Sequence, residues 1–594
     1  MTLLSGLSAV LKSASDNHVS AVFGVPGSPI TDIVDVFMKS PEFSAATEWF
    51  VNEKIAFEWG LGYSFSGKRS LVVVKHVGMN VLADPLMTSM IHTIGAGLVI
   101  LTGDDPEVAG SQNSQDSRYY GSLSRSPVFD PSSPREIYDY LGDAFVLSEK
   151  IKAPVIVRVT AAILNDETDV SDIFDVSDVS NLLNKSAGFS EGTLRADSSA
   201  WQYRMKGRYQ RSHFANDGTL RQAAEDFCRI ENAGPGNGVS RKLGIITSGY
   251  CYSRVSDVLK LIREKNISLA ASNGSDVSDI SDISDVSDIS DVSDISDVSD
   301  VSVLKLGVVS PLPIDFIRKF LEKHDTVLVA EESEPFIEDQ IRVFGNVIGK
   351  RSGHLPFGST TAEHILSAVE NAGLKSVPVS ANLDIYKRPE KGPDFCGDLF
   401  YPYFYEMLGR LKRETNVFVS GDIGCSMYGI VPPYSVLDSA VSLGAGIGIG
   451  TGAGRAGQAG KTGQAAPEKA IAVIGDFGFF HSGLLSLIEA IKKNVPVLVY
   501  VMRNSAAAMT GGQAAYDPEN LIRAVLSGGP ESEPESESKP ESGNLNSLNV
   551  FSYDASQIRD VSELDDLYSL SREELSKGGV SVIVVQWDGG KKEV

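Results

Sequence analysis

The stretch from residue 469 to residue 513 constrains the fold more than any other part of the chain. Its apolar run at 471–474 is typical of a buried parallel strand, and a helix-like segment with leucines and isoleucines on one side follows. A second apolar run, 495–502, ends at Arg503 and Asn504. The pattern predicts a β-α-β unit with polar groups after both strands, at the edge where open α/β sheets bind ligands.

Two side chains of this unit are suited to binding Mg²⁺. Asp476 offers an anionic oxygen and Asn504 a neutral carbonyl oxygen, and one crossover connection separates them. Mg²⁺ binds a few such ligands and keeps its other positions for water and phosphate oxygens. A diphosphate held there would also meet the N–H groups at the start of the helix. The alternative is an ordinary strand-turn in which Asp476 caps a helix.

The composition excludes several classes of function. The 594 residues suffice for three or four domains of about 150 residues each. A net charge of −24 argues against a nucleic-acid-binding surface or an anionic membrane as partner. The four cysteines have neither disulfide-framework nor metal-site spacing, which is typical of a reducing compartment. Without a signal peptide or an apolar run of about 18 residues, the sequence predicts a soluble cytoplasmic protein.

The apolar runs predict a doubly wound parallel α/β architecture in three domains. The first covers 1–165, with strands at 19–23, 70–75, 97–102 and 154–159. A connector at 166–239 precedes a second domain at 240–378, with strands at 243–248 and 327–330. The third domain covers 385–594, and its first predicted strand is at 416–420. We expect Gly, Pro and charged residues at the strand ends to line ligand crevices.

Several segments have low sequence complexity. The predicted insertion 272–302 contains a Ser-Asp-Val/Ile repeat from Ser275 to Ser302, and a period of three matches neither a helix nor a strand. Evenly spaced like charges resist compaction, so we predict a disordered insertion; the alternative, a calcium-binding solenoid, would need glycines that the repeat lacks. Residues 451–467 and 527–543 are predicted to be flexible. The glycine-rich run 444–450 is interpreted as a tightly packed helix rather than a dinucleotide-binding loop.

An ordered set of motifs resembles the α subunit of indolepyruvate ferredoxin oxidoreductase, a family of thiamine diphosphate (TPP)-dependent 2-oxoacid oxidoreductases. The motifs are Glu53-Lys-Ile-Ala56, Lys75-His-Val-Gly-Met-Asn, Gly103-Asp-Asp-Pro106, residues 111–116 and 130–134, Gly421-Asp-Ile-Gly-Cys425, Phe479-Phe-His-Ser-Gly483 and residues 508–513. The resemblance implies a pyrimidine-type TPP domain at 1–165. It also implies a transketolase C-terminal-like domain at 240–378 and a diphosphate-type TPP/Mg²⁺ domain at 385–594.

The resemblance also implies the reaction and its residues. The reaction would be oxidative decarboxylation of an arylpyruvate to an acyl-coenzyme A, with electrons passed to ferredoxin. Glu53 would face N1′ of the cofactor, and Ser28 would meet the substrate carboxylate. His481 is either an acid–base group or a structural histidine. The Mg²⁺ ligands would be Asp476, Asn504 and the carbonyl of Ala506. The cofactor would contact Gly421, Asp422, Gly424, Cys425, Gly475, Asp476, Phe477 and Asn504.

The chain departs from the family pattern in three places. It has no cysteine-rich ferredoxin-like domain after residue 587, so no iron–sulfur cluster is expected in it. Residues 395–401 keep one cysteine of a Cys-x-Gly-Cys-Pro-His-Arg stretch, and Lys75-His76 and 511–513 also differ. We therefore expect a hetero-oligomer with a family-type β subunit and a separate cluster protein. Two alternatives remain: a non-oxidative TPP-dependent decarboxylase, and a diverged, inactive paralogue that acts as an assembly subunit.

Overall fold

The computed structural model describes residues 3–91, 93–109, 111, 113–169, 194, 216–232, 241–272, 301–377, 400–459, 469–507, 512–522 and 548–587. The chain divides into two compact units, 1–381 and 382–594. Both are built on mainly parallel β-sheets, which confirms the predicted α/β fold class. Within the ranges given, no helix combines the length and the apolar character needed to cross a membrane.

Two larger sheets organise the first unit. Its strands are β1 (Leu3–Ser5), β2 (Ala21–Gly24), β3 (Thr47–Trp49), β4 (Ser70–Lys75), β5 (Leu98–Asp104), β6 (Val128–Phe129), β7 (Val155–Thr160), β8 (Glu167–Asp169), β9 (Cys228–Asn232), β10 (Arg241–Ser248), β11 (Val301–Leu306), β12 (Val308–Ser310), β13 (His324–Ala330) and β14 (Val347–Ile348). One sheet has the order β12-β6-β7-β5-β4-β2-β3 and the other β14-β13-β10-β11-β9. Only β12 and β9 run antiparallel to their neighbours in these two sheets.

Helices connect these strands. Those of the first unit are α1 (Gly6–Asp16), α2 (Thr31–Lys39), α3 (Glu53–Phe65), α4 (His76–Ile91), α5 (Arg118–Ser124), α6 (Pro134–Ile151), α7 (Ala161–Asn165), α8 (Asp217–Asp226), α9 (Gly249–Ser272), α10 (Ile314–Leu321), α11 (Phe336–Ile341) and α12 (Ala362–Glu370). In the first sheet the chain reverses its winding between β2 and β4, and in the second between β10 and β13. Such switch points leave a crevice at the carboxyl ends of the strands.

The second unit contains one six-stranded parallel sheet and one small hairpin. Its elements are α13 (Phe400–Thr415), β15 (Phe418–Gly421), β16 (Ser439–Ala440), α14 (Gly446–Ala459), β17 (Ala470–Gly475), α15 (Asp476–Gly478), α16 (Leu484–Lys493), β18 (Val497–Arg503), β19 (Ala506–Ala507), β20 (Gln513–Ala514), α17 (Pro518–Leu521), β21 (Leu548–Asp554), α18 (Asp565–Lys577) and β22 (Val580–Gln586). The strand order is β16-β15-β17-β18-β22-β21.

The sheet of the second unit is apolar on both faces. Along β18, Leu498 and Tyr500 belong to the core cluster that includes residues of α13 and α18. The alternating residues Val499 and Val501 belong to the cluster on the other side, with residues of α16. A strand buried on both faces needs a continuous apolar run rather than an alternating one, which is why its sequence was recognisable.

The structure corrects two predicted segments. Residues 451–459 are not flexible, because they complete α14, whose glycines allow close packing. A Cβ at Gly450 would lie 2.6 Å from Oγ of Ser420. The predicted insertion 272–302 is too long at both ends, since Ser272 belongs to α9 and residues 301–302 begin the buried strand β11. Residues 273–300, 460–467 and 527–543 lie outside the described residues. The other predicted strands are present, with small shifts at their ends.

A buried network of charges joins the two sheets of the first unit. Nε of Arg158 on β7 is 2.6 Å from Oδ2 of Asp104, and its Nη1 is 3.0 Å from Oδ1 of Asp130. Nη1 of Arg118 is 2.8 Å from Oε2 of Glu331, which follows β13 in the other sheet. All five side chains are almost completely buried. A charge removed from water in this way is tolerated only while its partners remain.

We predict that Arg158→Met lowers the free energy of unfolding of the first unit by roughly 3–5 kcal/mol, because it leaves buried carboxylates without their cation. Thermal unfolding followed by circular dichroism measures the effect. The matched control is Arg221→Met, which removes an exposed guanidinium paired with Asp217. Equal unfolding temperatures for the two variants would contradict the prediction.

Candidate functional site

Asp476 lies at the carboxyl end of β17, as the sequence pattern predicted. It is the first residue of α15, and its side chain is only 2% exposed. Its Oδ1 accepts a hydrogen bond from the N–H of Phe477 at 2.8 Å, and its Oδ2 accepts one from the N–H of Ser505 at 2.7 Å. The carboxylate therefore connects the end of β17 to the turn after β18.

Burial affects the charge of this carboxyl group. It raises the pKa of Asp476 to about 6, although two backbone donors and the charge of Arg503 act in the opposite direction. The ionised form therefore lacks part of the stabilisation that it would have in water. A bound cation would supply that stabilisation.

The turn after β18 brings further oxygen atoms near Asp476. Ser505 has a φ of 59°, a left-handed conformation that few residues other than glycine adopt. Oδ1 of Asn504 accepts a hydrogen bond from the N–H of Ala506 at 3.1 Å. The predicted ligands Asp476, Asn504 and Ala506 thus lie on two adjacent strand ends, linked through Ser505. The sequence alone did not single out Ser505.

Asp422 lies directly after β15 and is completely buried. Its Oδ1 accepts a hydrogen bond from the N–H of Gly444 at 2.6 Å. Within the described part of the chain, its Oδ2 has no hydrogen-bond partner. Burial raises the pKa of Asp422 to about 7. A Cβ at Gly478 would lie 1.9 Å from Oδ2, so only glycine fits opposite this carboxyl group.

The loop after Asp422 has the conformation expected of a close backbone approach. Gly424 has a φ of 136°, which favours glycine, and the 3₁₀ helix Cys425–Ile430 follows it. Cys425 is buried and disulfide-bonded, which differs from the expectation that all the cysteines are reduced thiols. Its contact with the cofactor remains a prediction.

His481 lies in the π-helical turn Phe479–Gly483, which joins α15 to α16. Its ring is mostly buried, and Nδ1 is 3.2 Å from Oγ of Ser482. The charge of His481 acts on Asp422 and lowers the pKa of that carboxyl group, although the effect of burial is larger. The histidine is therefore close to the candidate site of the second unit. Its catalytic role remains a prediction.

Glu53 and Ser28 lie in the first unit, around the switch point between β2 and β4. Glu53 is the first residue of α3 and is 6% exposed. A Cβ at Gly78 would lie 2.7 Å from its Oε1, so the carboxylate packs directly on the start of α4. Ser28 belongs to the turn after β2, and its carbonyl accepts a hydrogen bond from Oγ of Ser111 at 3.4 Å.

Lys75 lies between these two residues and was noted in the sequence only as part of a motif. It is buried at the end of β4, where a Cβ at Gly27 would lie 2.4 Å from its Cδ. Burial lowers the pKa of Lys75, and the charges of Glu53 and Asp105 oppose this shift. In the neighbouring His76, Nδ1 lies 3.4 Å from the carbonyl oxygen of Gly103 and Nε2 lies 3.0 Å from the carbonyl oxygen of Asn113.

The residues of the second unit fit Mg²⁺ and a diphosphate group. One carboxylate, one side-chain amide oxygen and one backbone carbonyl form the hard, partial oxygen set that Mg²⁺ uses with phosphate oxygens. No group of three or more His, Cys, Asp and Glu suited to a metal occurs among the described residues, so a cysteine- or histidine-rich centre is not supported there. The unpartnered Oδ2 of Asp422 adds a buried polar atom that a ligand can satisfy.

One family model covers the candidate site of the second unit. Residues 422–585 match the family model of the thiamine pyrophosphate enzyme C-terminal TPP binding domain, and this range includes Asp476, Asn504 and Ala506. A solved 2-oxoglutarate:ferredoxin oxidoreductase from Magnetococcus marinus has a TM-score of 0.42 and 14% identity, covering 62% of this chain and 65% of its own.

Curated relatives extend over most of the sequence. The indolepyruvate oxidoreductase subunit IorA of Methanothermobacter thermautotrophicus is 30% identical over 528 residues, covering 86% of this chain and 76% of the relative. The subunit IorA of Pyrococcus horikoshii is 28% identical over 535 residues, with the same coverage of 86% and 76%. The chain therefore belongs to the family of the IorA subunits of indolepyruvate oxidoreductase, which are thiamine diphosphate-dependent 2-oxoacid oxidoreductases.

Proposed function

We propose that the chain binds TPP and Mg²⁺ and catalyses oxidative decarboxylation of an arylpyruvate of the indolepyruvate type to an acyl-coenzyme A. The observation that carries the proposal is the buried carboxylate of Asp476, held by the N–H groups of Phe477 and Ser505 beside Asn504. The names of the relatives support the substrate class.

In this proposal the second unit holds the charged end of the cofactor. Asp476, Asn504 and the carbonyl of Ala506 bind Mg²⁺. Gly421, Asp422, Gly424, Cys425, Gly475 and Phe477 contact the cofactor. Because Ser505 and Phe477 already fix both oxygens of Asp476, little rearrangement is needed before the cation binds.

In the first unit, the carboxyl group of Glu53 would hold a proton at N1′ of the aminopyrimidine when the cofactor is bound. TPP, when bound, supplies the electron sink for breaking the bond to the carboxyl group of the substrate. Glu53 is suited to its role because it is buried and packed on Gly78, which fixes its position. Ser28 binds the substrate carboxylate, and His481 moves a proton during turnover.

Electrons leave the chain through other proteins. The sequence has four cysteines, at 228, 251, 396 and 425, and none of the closely spaced groups that bind iron–sulfur clusters. We also propose a hetero-oligomer with a family-type β subunit and transfer to ferredoxin through a separate iron–sulfur protein, in the cytoplasm. The printed names of the relatives describe subunits, which supports a partner chain.

The test is carbon dioxide release from indolepyruvate by the purified chain with TPP, Mg²⁺ and coenzyme A, alone and with a β subunit. Release with reduction of viologen supports the oxidoreductase. Release without reduction indicates a non-oxidative decarboxylase. Absence of release in both preparations, together with no binding of TPP, would leave an inactive assembly subunit.

We predict that Asp476→Ala abolishes cation binding in the presence of TPP, because it removes the only carboxylate of the proposed ligand set. Mn²⁺ can replace Mg²⁺ as a paramagnetic probe, and water proton relaxation measures its binding. The control, Asp566→Ala, removes an exposed carboxylate of α18 in the same unit. Mn²⁺ binding by Asp476→Ala at the affinity of the unaltered chain would contradict the ligand assignment.

Glu53→Gln is expected to separate binding from catalysis. The amide keeps the size of the carboxyl group but cannot exchange a proton, so we expect the rate of carbon dioxide release to fall by roughly 10²–10⁴-fold. The affinity for TPP, measured by calorimetry, should change by less than about threefold. Glu58→Gln, at an exposed position of α3, is the control. Equal rates for the two variants would show that Glu53 has no catalytic role.

The buried carboxyl group of Asp422 makes stability depend on pH. Its pKa in the folded chain, about 7, exceeds the ordinary value of 3.8, so folding becomes less favourable as pH rises from about 4 to about 7. Asp422→Asn removes this penalty. Between pH 5 and pH 8 we expect the stability of the variant relative to the unaltered chain to rise by roughly 2.5 kcal/mol.

Thermal unfolding of the cofactor-free protein across this pH range measures the difference. Asp566→Asn, at the exposed position on α18, is the control. A constant difference for Asp422→Asn would mean that Asp422 is already ionised at pH 5.

A further inference from the structure

Arg503 is the last residue of β18 and directly precedes Asn504. Its side chain is only 20% exposed. Nη2 is 3.0 Å from Oδ2 of Asp517, and Nη1 donates to Oε1 of Gln586 at 3.1 Å. Nε is buried and has no hydrogen-bond partner among the described residues. The two Nη atoms of the guanidinium are therefore held by protein side chains, whereas its Nε–H group remains available to donate a hydrogen bond.

The position of Arg503 is unusual for a residue beside a cation site. Gly475 of β17 pairs with Met502 of β18, so Asp476 and Arg503 follow at the ends of adjacent parallel strands. A bare cation at Asp476 would be repelled by the charge of Arg503. The conflict disappears when an anion lies between them, and a diphosphate carries more negative charge than one Mg²⁺ neutralises. A guanidinium is also the side chain whose geometry matches phosphate oxygens.

We propose that Arg503 is a phosphate-binding residue, which donates through Nε to the diphosphate group of the cofactor. The inference rests on the proposed function and deepens it, because it names a ligand of the phosphate in addition to Mg²⁺. Asp517 and Gln586 contact the Nη atoms and do not bind the ligand, and the hydrogen bond from Nη1 to Gln586 is expected to keep the guanidinium in place when Asp517 is altered. Asp517 is itself fixed, since its Oδ1 accepts a hydrogen bond from the N–H of Glu519 at the start of α17.

A different role has to be separated from this one. The pair formed by Arg503 and Asp517 also links β18 to the segment 512–522, so a substitution at Arg503 could weaken ligand binding by displacing that segment. Asp517→Asn distinguishes the two roles. It removes the charge that faces Nη2 and leaves the guanidinium, and therefore Nε, in the chain.

The experiment measures calorimetric affinity for TPP at saturating Mg²⁺ and, separately, for inorganic pyrophosphate. Arg503→Gln should weaken the binding of both by at least tenfold. Arg503→Lys, which keeps the charge but lacks the planar fork, should lie between Arg503→Gln and the unaltered chain. Asp517→Asn should stay within about threefold of the unaltered chain. Unfolding temperatures of all four proteins confirm that each is folded.

Two results would overturn the inference while leaving the proposed function intact. In the first, Arg503→Gln and Arg503→Lys bind TPP and pyrophosphate as tightly as the unaltered chain, while Asp476→Ala abolishes cation binding in the presence of TPP. In the second, Asp517→Asn loses as much affinity as Arg503→Gln, which would assign Arg503 a structural role. Failure of the unaltered chain to bind TPP with Mg²⁺ would overturn the proposed function and the inference together.

Discussion

The candidate site of the second unit depends on one interaction, the capture of the Asp476 carboxylate by the N–H groups of Phe477 and Ser505. These two hydrogen bonds join the end of β17 to the turn after β18 through a single side chain. The two hydrogen bonds also explain how a carboxyl group that is 2% exposed remains able to ionise. The left-handed conformation of Ser505 directs its N–H group toward Asp476, so backbone strain at one residue serves the position of another.

Buried charge is also used in the first unit, but for a different purpose. Arg118 and Arg158 each contact carboxylates on neighbouring elements, and Glu331 brings the second sheet into the network. These groups are paired with one another, which is typical of a structural network. Asp422 differs because its Oδ1 accepts a hydrogen bond from a backbone N–H group rather than from a guanidinium, and its Oδ2 has no hydrogen-bond partner within the described residues.

Much of this architecture could be predicted from the sequence. The apolar runs of β17 and β18 identified two buried strands, and the residues after them identified Asp476 and Asn504. The contribution of Ser505 and Gly478 could not be predicted, because it depends on backbone conformation and on contacts between residues distant in the chain. The same reason applies to the network of Arg158. Residues 451–459 were misread because glycine indicates flexibility in isolation, whereas here it permits α14 to pack on the sheet.

The sequence could also identify the acidic residue Glu53 but not its burial against Gly78 or its electrostatic contact with Lys75.

The central claim is that the second unit binds TPP through a cation. The most direct measurement is calorimetric titration of the unaltered chain with TPP, in Mg²⁺ and in excess EDTA. The account predicts saturable binding in Mg²⁺ that is lost in EDTA. Binding of equal strength in EDTA, or no binding in Mg²⁺, would contradict it.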